Sequence, residues 1–313
     1  MHGRDLRGSV PGAARAAEAD HPALPDGGDR DPVPGPDGRA AHVRRKGEAL
    51  RLPAPVWEDL GEVLVSGGRL LLLTDFDGTL APLAADPTQV ELAPSTREDL
   101  RALARPPRAV VGVLSGRSLG DVRARVGVPE LIYAGCHGLE VEGRGIAFRH
   151  PEAERQRARL ADLAGELRAR VGSLPGASVE DKGLAIGLHY RNAAPGAAER
   201  LEREAARALA GTPGLRILRG KKIIEILPAV DWNKGECARW IRQAVFGAAA
   251  DVTTLYLGDD ETDELAFGAL APWAVTVRVG PDEAPSRAAH RVPDVAEVLR
   301  LFAGLARQAR RLS

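Results

Sequence analysis

Residues 69–75 read RLLLLTD, a continuous apolar run that closes on polar residues. The run is too short for most helices and fits a strand buried on both faces, as in a parallel sheet. Two further runs have the same form: 109–114 (AVVGVL), which stops at Ser115-Gly116, and 131–134 (LIYA), which stops at Gly135. Between the first two, Pro94 precedes Ser95, and Glu98 follows three residues later. That spacing predicts a helix opened by a capping box. Strand, helix and strand alternate, the pattern of a doubly wound α/β sheet.

From residue 143 the pattern changes. A long amphipathic helix is predicted over 152–171, then strands over 177–182 and 184–190, a helix over 197–209, and strands over 215–218 and 222–227. These strands alternate apolar and polar residues, so one face of their sheet is wet. After Trp232 the buried runs return, as 254–257 (TLYL) and 274–279 (AVTVRV), with helical stretches between them and a helical C-terminus. The fold class expected is α/β: a Rossmann-like, doubly wound parallel-sheet core from 55–142 and 230–313. A smaller α/β unit, 143–229, is inserted into it. Residues 1–54 are expected to be a disordered tail. Six prolines of the chain's 23 fall within the first 50 residues. Runs such as DGGDRDPVPGPDGR hold too little apolar surface to offset the entropy of ordering.

Composition narrows the class of partner. The 313 residues are 44% hydrophobic and 27% charged, ordinary for a globular chain of about two domains. Lys plus Arg and Asp plus Glu both total 43. With no basic excess, neither nucleic acid nor an anionic membrane is the expected partner. A small anion needs only a local cluster of donors. Two cysteines, Cys136 and Cys237, fit a reducing compartment. No apolar run approaches the ~20 residues that span a bilayer, and the first residues lack the apolar core of a secretory signal. A cytoplasmic monomer is the expectation.

The chemistry concentrates where buried runs end. Asp75 and Asp77 in DFDGTL follow the first run; residues two apart on an extended strand face the same way, and ligands of open α/β sheets bind at the carboxyl ends of strands. Two unpartnered carboxylates side by side repel, and a divalent cation with a taste for hard oxygen, Mg²⁺, resolves that. A second acidic group, Gly258-Asp259-Asp260-Glu261-Thr262-Asp263, closes the TLYL run. Ser115 ends another strand, and Lys234 opens a helix. Beside a phosphate, a hydroxyl is a donor and a lysine a point charge.

DFDGT, LSGR, a single lysine and GDDETD, in that order, resemble the haloacid dehalogenase-type phosphohydrolases, and the inserted unit resembles their C2-type α/β cap. Within that superfamily the chain looks like the trehalose-6-phosphate phosphatases. The residues behind the narrower likeness are AGCHG at 134–138, VEDKG at 179–183, LHYR at 188–191, GKKIIEILP at 220–228 and GDDETDELAF. The likeness covers about 65–300. It implies that Asp75 is the nucleophile and Asp77 the general acid and base. Mg²⁺ would be held by Asp75, Asp77 through its carbonyl, and Asp259. Ser115 and Lys234 would grip the phosphate, and Asp260 and Asp263 would bind the metal or support it from behind. It further implies that Arg117, His137, Gly138, Glu180, Lys182, His189, Arg191, Lys222 and Glu225 line the sugar side of the cleft.

The expected substrate is trehalose 6-phosphate, with the synthase that makes it as a candidate partner. The alternatives are a related phosphatase of sucrose phosphate or mannosyl-3-phosphoglycerate, or a silent sugar-phosphate-binding module. The intact set Asp75, Asp77, Ser115, Lys234 and Asp259 argues for an enzyme.

Overall fold

The computed structural model describes residues 60–311 except 61, 64–65, 85, 106–108, 249–250 and 282–284. The expected tail, 1–54, lies outside the described residues. In chain order the first elements are β1 (Arg69–Thr74), α1 (Pro94–Leu103), β2 (Ala109–Leu114), α2 (Leu119–Val126), β3 (Ile132–Gly135), β4 (Glu140–Gly143) and β5 (Ile146–Arg149). Next come α3 (Pro151–Arg155), α4 (Arg157–Val171), β6 (Ser178–Asp181), β7 (Ile186–His189), α5 (Ala197–Ala210), β8 (Leu215–Gly220) and β9 (Ile223–Pro228). The chain continues through α6 (Lys234–Phe246), β10 (Val252–Gly258), α7 (Glu261–Leu270), β11 (Val275–Val279), β12 (His290–Val292) and α8 (Val295–Arg311).

The larger sheet has the order β12-β11-β10-β1-β2-β3-β4-β5. Its first six strands are parallel, and β4 and β5 run antiparallel at the edge. Alternate residues of β1 supply two cores. Leu70 and Leu72 pack with Leu100, Val122 and Phe302 from α1, α2 and α8. Leu71 and Leu73 pack on the other face with Ile241 of α6 and Phe267 of α7. Both faces of β1 are therefore dry, which explains its unbroken apolar run. Chain order reverses between β10 and β1, and a crevice opens there at the strand ends.

The smaller sheet, β6-β7-β9-β8, is antiparallel. Ile186, Leu188, Ile224 and Ile226 turn to one face and pack with Leu160, Leu167 and Leu201 of α4 and α5. The alternate residues, Glu180, His189 and Glu225, point the other way. Ala153, Leu184, Ala185 and Leu227 join the cluster around Leu71 and Leu73, so the smaller unit is seated on the core through apolar contact.

Several sequence expectations change. The boundary expected at 143 falls inside the β4–β5 hairpin, which extends the larger sheet through pairing of β4 with β3. The helix over 152–171 is two helices that meet at Gln156. The capping box does not form: α1 starts at Pro94, Ala93 is its N-cap, and no side chain caps it. Proline at the first helical position already has helical φ and no N–H to satisfy. Lys222 is not in a strand; with Lys221 it forms the β8–β9 turn, at φ +67°. Among the described residues no helix is long and apolar enough to cross a membrane.

Candidate active site

Asp75 and Asp259 follow neighbouring parallel strands. Thr74 sits opposite Leu257, and the Asp75 N–H donates to the Leu257 carbonyl at 2.9 Å, so the two carboxylates emerge together. Gly78 turns the chain between them at φ +86°, and a Cβ there would lie 2.3 Å from Asp259 Oδ2. The close approach itself requires glycine. Both acids are buried. Burial lifts Asp75 well above the usual carboxylate range although Lys234 pulls the other way, and it lifts Asp259 too.

Lys234 is 1% exposed and donates to Asp75 Oδ1 and Asp263 Oδ1, both at 2.8 Å. It is aimed by the start of α6, where Asn233 caps the N–H groups of Gly235 and Glu236. Asp263 is fully occupied. Its Oδ1 also accepts from the Tyr256 hydroxyl at 2.8 Å, and its Oδ2 from the N–H groups of Asp259 and Asp260 at 3.0 and 3.2 Å. Asp260 Oδ1 caps α7 through Thr262 and Asp263. These bonds make Asp263 and the Oδ1 of Asp260 shapers of the loop. Asp259 differs: its Oδ2 accepts from Lys221 at 2.6 Å, and its Oδ1 is buried with no partner. Ligand oxygens of Asp75, Asp259 and Asp263 lie within 4.8 Å of one another. An orphaned carboxylate oxygen beside a second buried carboxylate fits a hard divalent cation, held by Asp75 and Asp259 with Asp263 already saturated.

Ser115 follows β2, 1% exposed, and its Oγ accepts from the Arg117 N–H at 3.2 Å. The Arg117 guanidinium donates to both oxygens of Asp77, at 2.6 and 2.7 Å. The facing loop is left-handed over three residues, Cys136, His137 and Gly138, with φ of +49°, +60° and +93°. Two non-glycine residues in that region are a store of strain of the sort found at functional sites. The turn is pinned by Cys136 N–H to the Arg117 carbonyl at 2.7 Å and His137 N–H to the Ser115 carbonyl at 2.9 Å.

Across a cavity of about 490 Å³ stands the polar face of the smaller sheet. Glu225 is the knot: Oε1 accepts from Lys182 Nζ at 2.6 Å, and Oε2 meets His137 Nε2 at 2.7 Å. Lys182 also donates to the Gly116 carbonyl at 2.8 Å. Burial opposes the charge on Glu225, but Lys182 and His137 outweigh it and hold the acid well below the usual range. His189 pairs with Glu180 at 2.8 Å on the same face. Arg191 donates to the Lys221 carbonyl at 3.2 Å, and Lys222 lies over the Tyr190 ring.

Of the residues expected from sequence, Asp75, Asp77, Ser115, Lys234, Asp259 and Asp260 line the cavity together. Arg117, His137, Glu180, Lys182, His189, Arg191, Lys222 and Glu225 line the same cavity. Gly138 and Asp263 do not line it. The Gly138 carbonyl accepts from Trp232 Nε1 at 2.8 Å, and a Cβ there would strike Cys237 at 2.4 Å. Lys221, Asp121 and Arg125 were missed. Lys221 stands beside Lys222 in the turn, and no sequence pattern tells which of two turn lysines crosses to the core.

Residues 73–292 match the sequence model of the trehalose-phosphatase family. A trehalose-phosphate phosphatase of Mycobacterium ulcerans (strain Agy99) is 38% identical over 216 residues, which are 68% of this chain and 55% of that one. The chain thus spans about half the length of the curated relatives it matches. The C-terminal domain of a C. albicans trehalose-6-phosphate phosphatase superposes with a TM-score of 0.68 at 24% identity, over 83% of this chain and 99% of that one. A haloacid dehalogenase-like hydrolase from Bacteroides thetaiotaomicron gives 0.53 at 14% identity, over 78% and 100%. The two structures share the fold, an α/β core with a second unit above it. The family match runs through every strand-end motif of the cavity, and the chain belongs to the trehalose-phosphatase family.

Proposed function

We propose that the protein hydrolyses trehalose 6-phosphate to trehalose and inorganic phosphate, with the chain through β5 and from 230 onward as the catalytic core and the unit between them as a specificity cap. The observation that carries this reading is the buried set Asp75, Lys234 and Asp259, with an unpartnered Asp259 oxygen, facing a sheet of hydrogen-bonding side chains. A disaccharide phosphate needs both halves of that arrangement.

In this reading the Asp75 carboxylate attacks phosphorus, and the bond to the sugar oxygen breaks. Asp77 gives its proton to that departing oxygen. Asp77 then takes a proton from water as the water attacks the aspartyl-phosphate, which returns Asp75 and releases phosphate. Ser115 and Lys234 bind the non-bridging oxygens where charge shifts in the transition state. Asp75, Asp259 and the Asp77 carbonyl would hold Mg²⁺, which when bound supplies charge that offsets repulsion between carboxylate and phosphate. Asp263 keeps Lys234 aimed. Glu180, Lys182, His189 and Glu225 offer the cap-side contacts for sugar hydroxyls. Two buried free cysteines accord with a cytoplasmic setting.

The test is phosphate release from trehalose 6-phosphate, sucrose 6-phosphate, mannosyl-3-phosphoglycerate and glucose 6-phosphate, each with Mg²⁺ and with EDTA. Release from trehalose 6-phosphate alone, lost with EDTA and in Asp75→Asn, is the expected result. Release from another sugar phosphate would keep the chemistry and discard the substrate. No release from any of the four would leave the binding-module alternative.

A further inference from the structure

Asp77 must present its carboxyl to the leaving oxygen, yet it stands on a loop with its side chain 31% exposed. What fixes it is a chain of alternating charges that runs back into α2. Arg117 Nε and Nη2 each take one oxygen of Asp77, which sets the plane of the carboxyl group. The third edge of the same guanidinium, Nη1, donates to Asp121 Oδ2 at 2.8 Å. Arg125, one turn further along the helix, donates through Nε to the same Asp121 oxygen at 2.8 Å. Its Nη1 then reaches the carbonyls of Thr88 and Val90, at 2.8 and 3.1 Å.

Arg117 and Arg125 have side chains only 13% and 14% exposed, so both are held off from water. Arg117 also lies over the Phe76 ring, 5.4 Å from its centre. An arginine gripped along one edge can still pivot about that edge. A carboxylate on the opposite edge removes the freedom. Asp121 touches both arginines, and no motif marks it.

We propose that Asp121 is a positioning residue for the acid/base Asp77, acting through Arg117 and anchored by Arg125. The proposal rests on the phosphatase reading above. It assigns Arg117 to the orientation of Asp77 and not to the sugar.

The leaving group separates this role from sugar contact. Substituted phenyl phosphates carry no sugar, and p-nitrophenolate leaves with little help from an acid, whereas phenolate needs it. With the Mg²⁺-loaded protein, kcat/KM is compared for phenyl and p-nitrophenyl phosphate. Asp121→Asn is expected to lower the phenyl to p-nitrophenyl ratio about tenfold, part of the 10²–10⁴ that proton transfer contributes. Arg117→Gln should lower it further, and Asp121→Glu should restore part of it. Added to Asp77→Asn, the Asp121→Asn change should have no further effect on the ratio. Arg125→Gln gives the same reading should Asp121→Asn fail to fold. A ratio equal to that of the unaltered protein in Asp121→Asn or Arg125→Gln overturns the proposal while the chemistry stands. If only trehalose 6-phosphate is hydrolysed, the lack of any further effect of Asp121→Asn on top of Asp77→Asn is read from its kcat instead; if neither ester nor trehalose 6-phosphate is hydrolysed in an Asp75-dependent way, the phosphatase reading falls and the proposal with it.

Discussion

Lys234 has no water to fall back on. Its ammonium is 1% exposed and lies between Asp75 and Asp263. A neutral side chain there would leave both acids without their cation, in a setting where burial already lifts Asp263 up to about 6. Lys234→Met is therefore expected to lower turnover of trehalose 6-phosphate by at least ~10²–10³, the usual loss for one transition-state donor. Steady-state kinetics would check it, and a fall of less than tenfold would remove Lys234 from the mechanism. At this scale the sequence was most legible where a residue closes a buried run. Asp75, Ser115 and Asp259 could be picked out because the strand before each is apolar on both faces. Lys221, Asp121 and Arg125 could not. Their partners lie on other elements or differ by a single turn of helix, and any surface helix carries such charges. Gly138 belongs to the AGCHG motif, yet it serves the packing of Trp232 and Cys237.

The smaller sheet presents Lys182, just after β6, and Glu225 of β9 to two core loops, the one after β2 that carries Gly116 and the one after β3 that carries His137. Glu225 holds its proton less tightly in the folded protein than in the unfolded chain. Its contribution is thus fully present above about pH 4.3, the ordinary glutamate value, and is lost as pH falls through the lower folded value. Glu225→Gln is expected to lower the unfolding free energy at pH 7 by about 3–5 kcal/mol, the cost of breaking a buried pair. The gap between the two proteins should close only below about pH 4. Urea unfolding across pH 3–7 reads it, and a gap constant over that range would sink the assignment. Long apolar runs made the parallel strands legible, while the β4–β5 hairpin was not. Its strands are four residues each and its Gly143-Arg144-Gly145 turn resembles any loop. β12, at three residues, is shorter than any pattern can resolve. The capping box fails because Ser95 and Glu98 have the right spacing but Pro94 takes the first helical position.

Over the whole molecule, the chemistry lies within 60–311 of a chain of 313 residues. Removal of residues 1–50 is expected to leave kcat/KM and the melting temperature within error of the full chain. A large loss of either in the truncated protein would refute the reading of that segment as a tail. The alternation of buried runs with helical stretches was enough to foresee a core interrupted by a second unit. The point of interruption was not legible, because it depends on which sheet a short hairpin joins.

The chain crosses between the two units twice, at His150 on the way out and around Trp232 on the way back. These crossings are packed together. The Phe148 ring stacks on Trp232 at 5.0 Å and lies 4.8 Å from Trp240, and His150 meets Trp232 edge-on at 5.3 Å. Indole emission responds to the polarity and quenchers in contact with the ring, and a protonated imidazole quenches it. Two of the four tryptophans of the chain therefore sit at the crossings. A rearrangement of the smaller unit at these crossings is expected to change their surroundings. Tryptophan emission followed in stopped flow on substrate addition is thus expected to report any such rearrangement without a label, and Trp232→Phe and Trp240→Phe would divide the signal between the two rings.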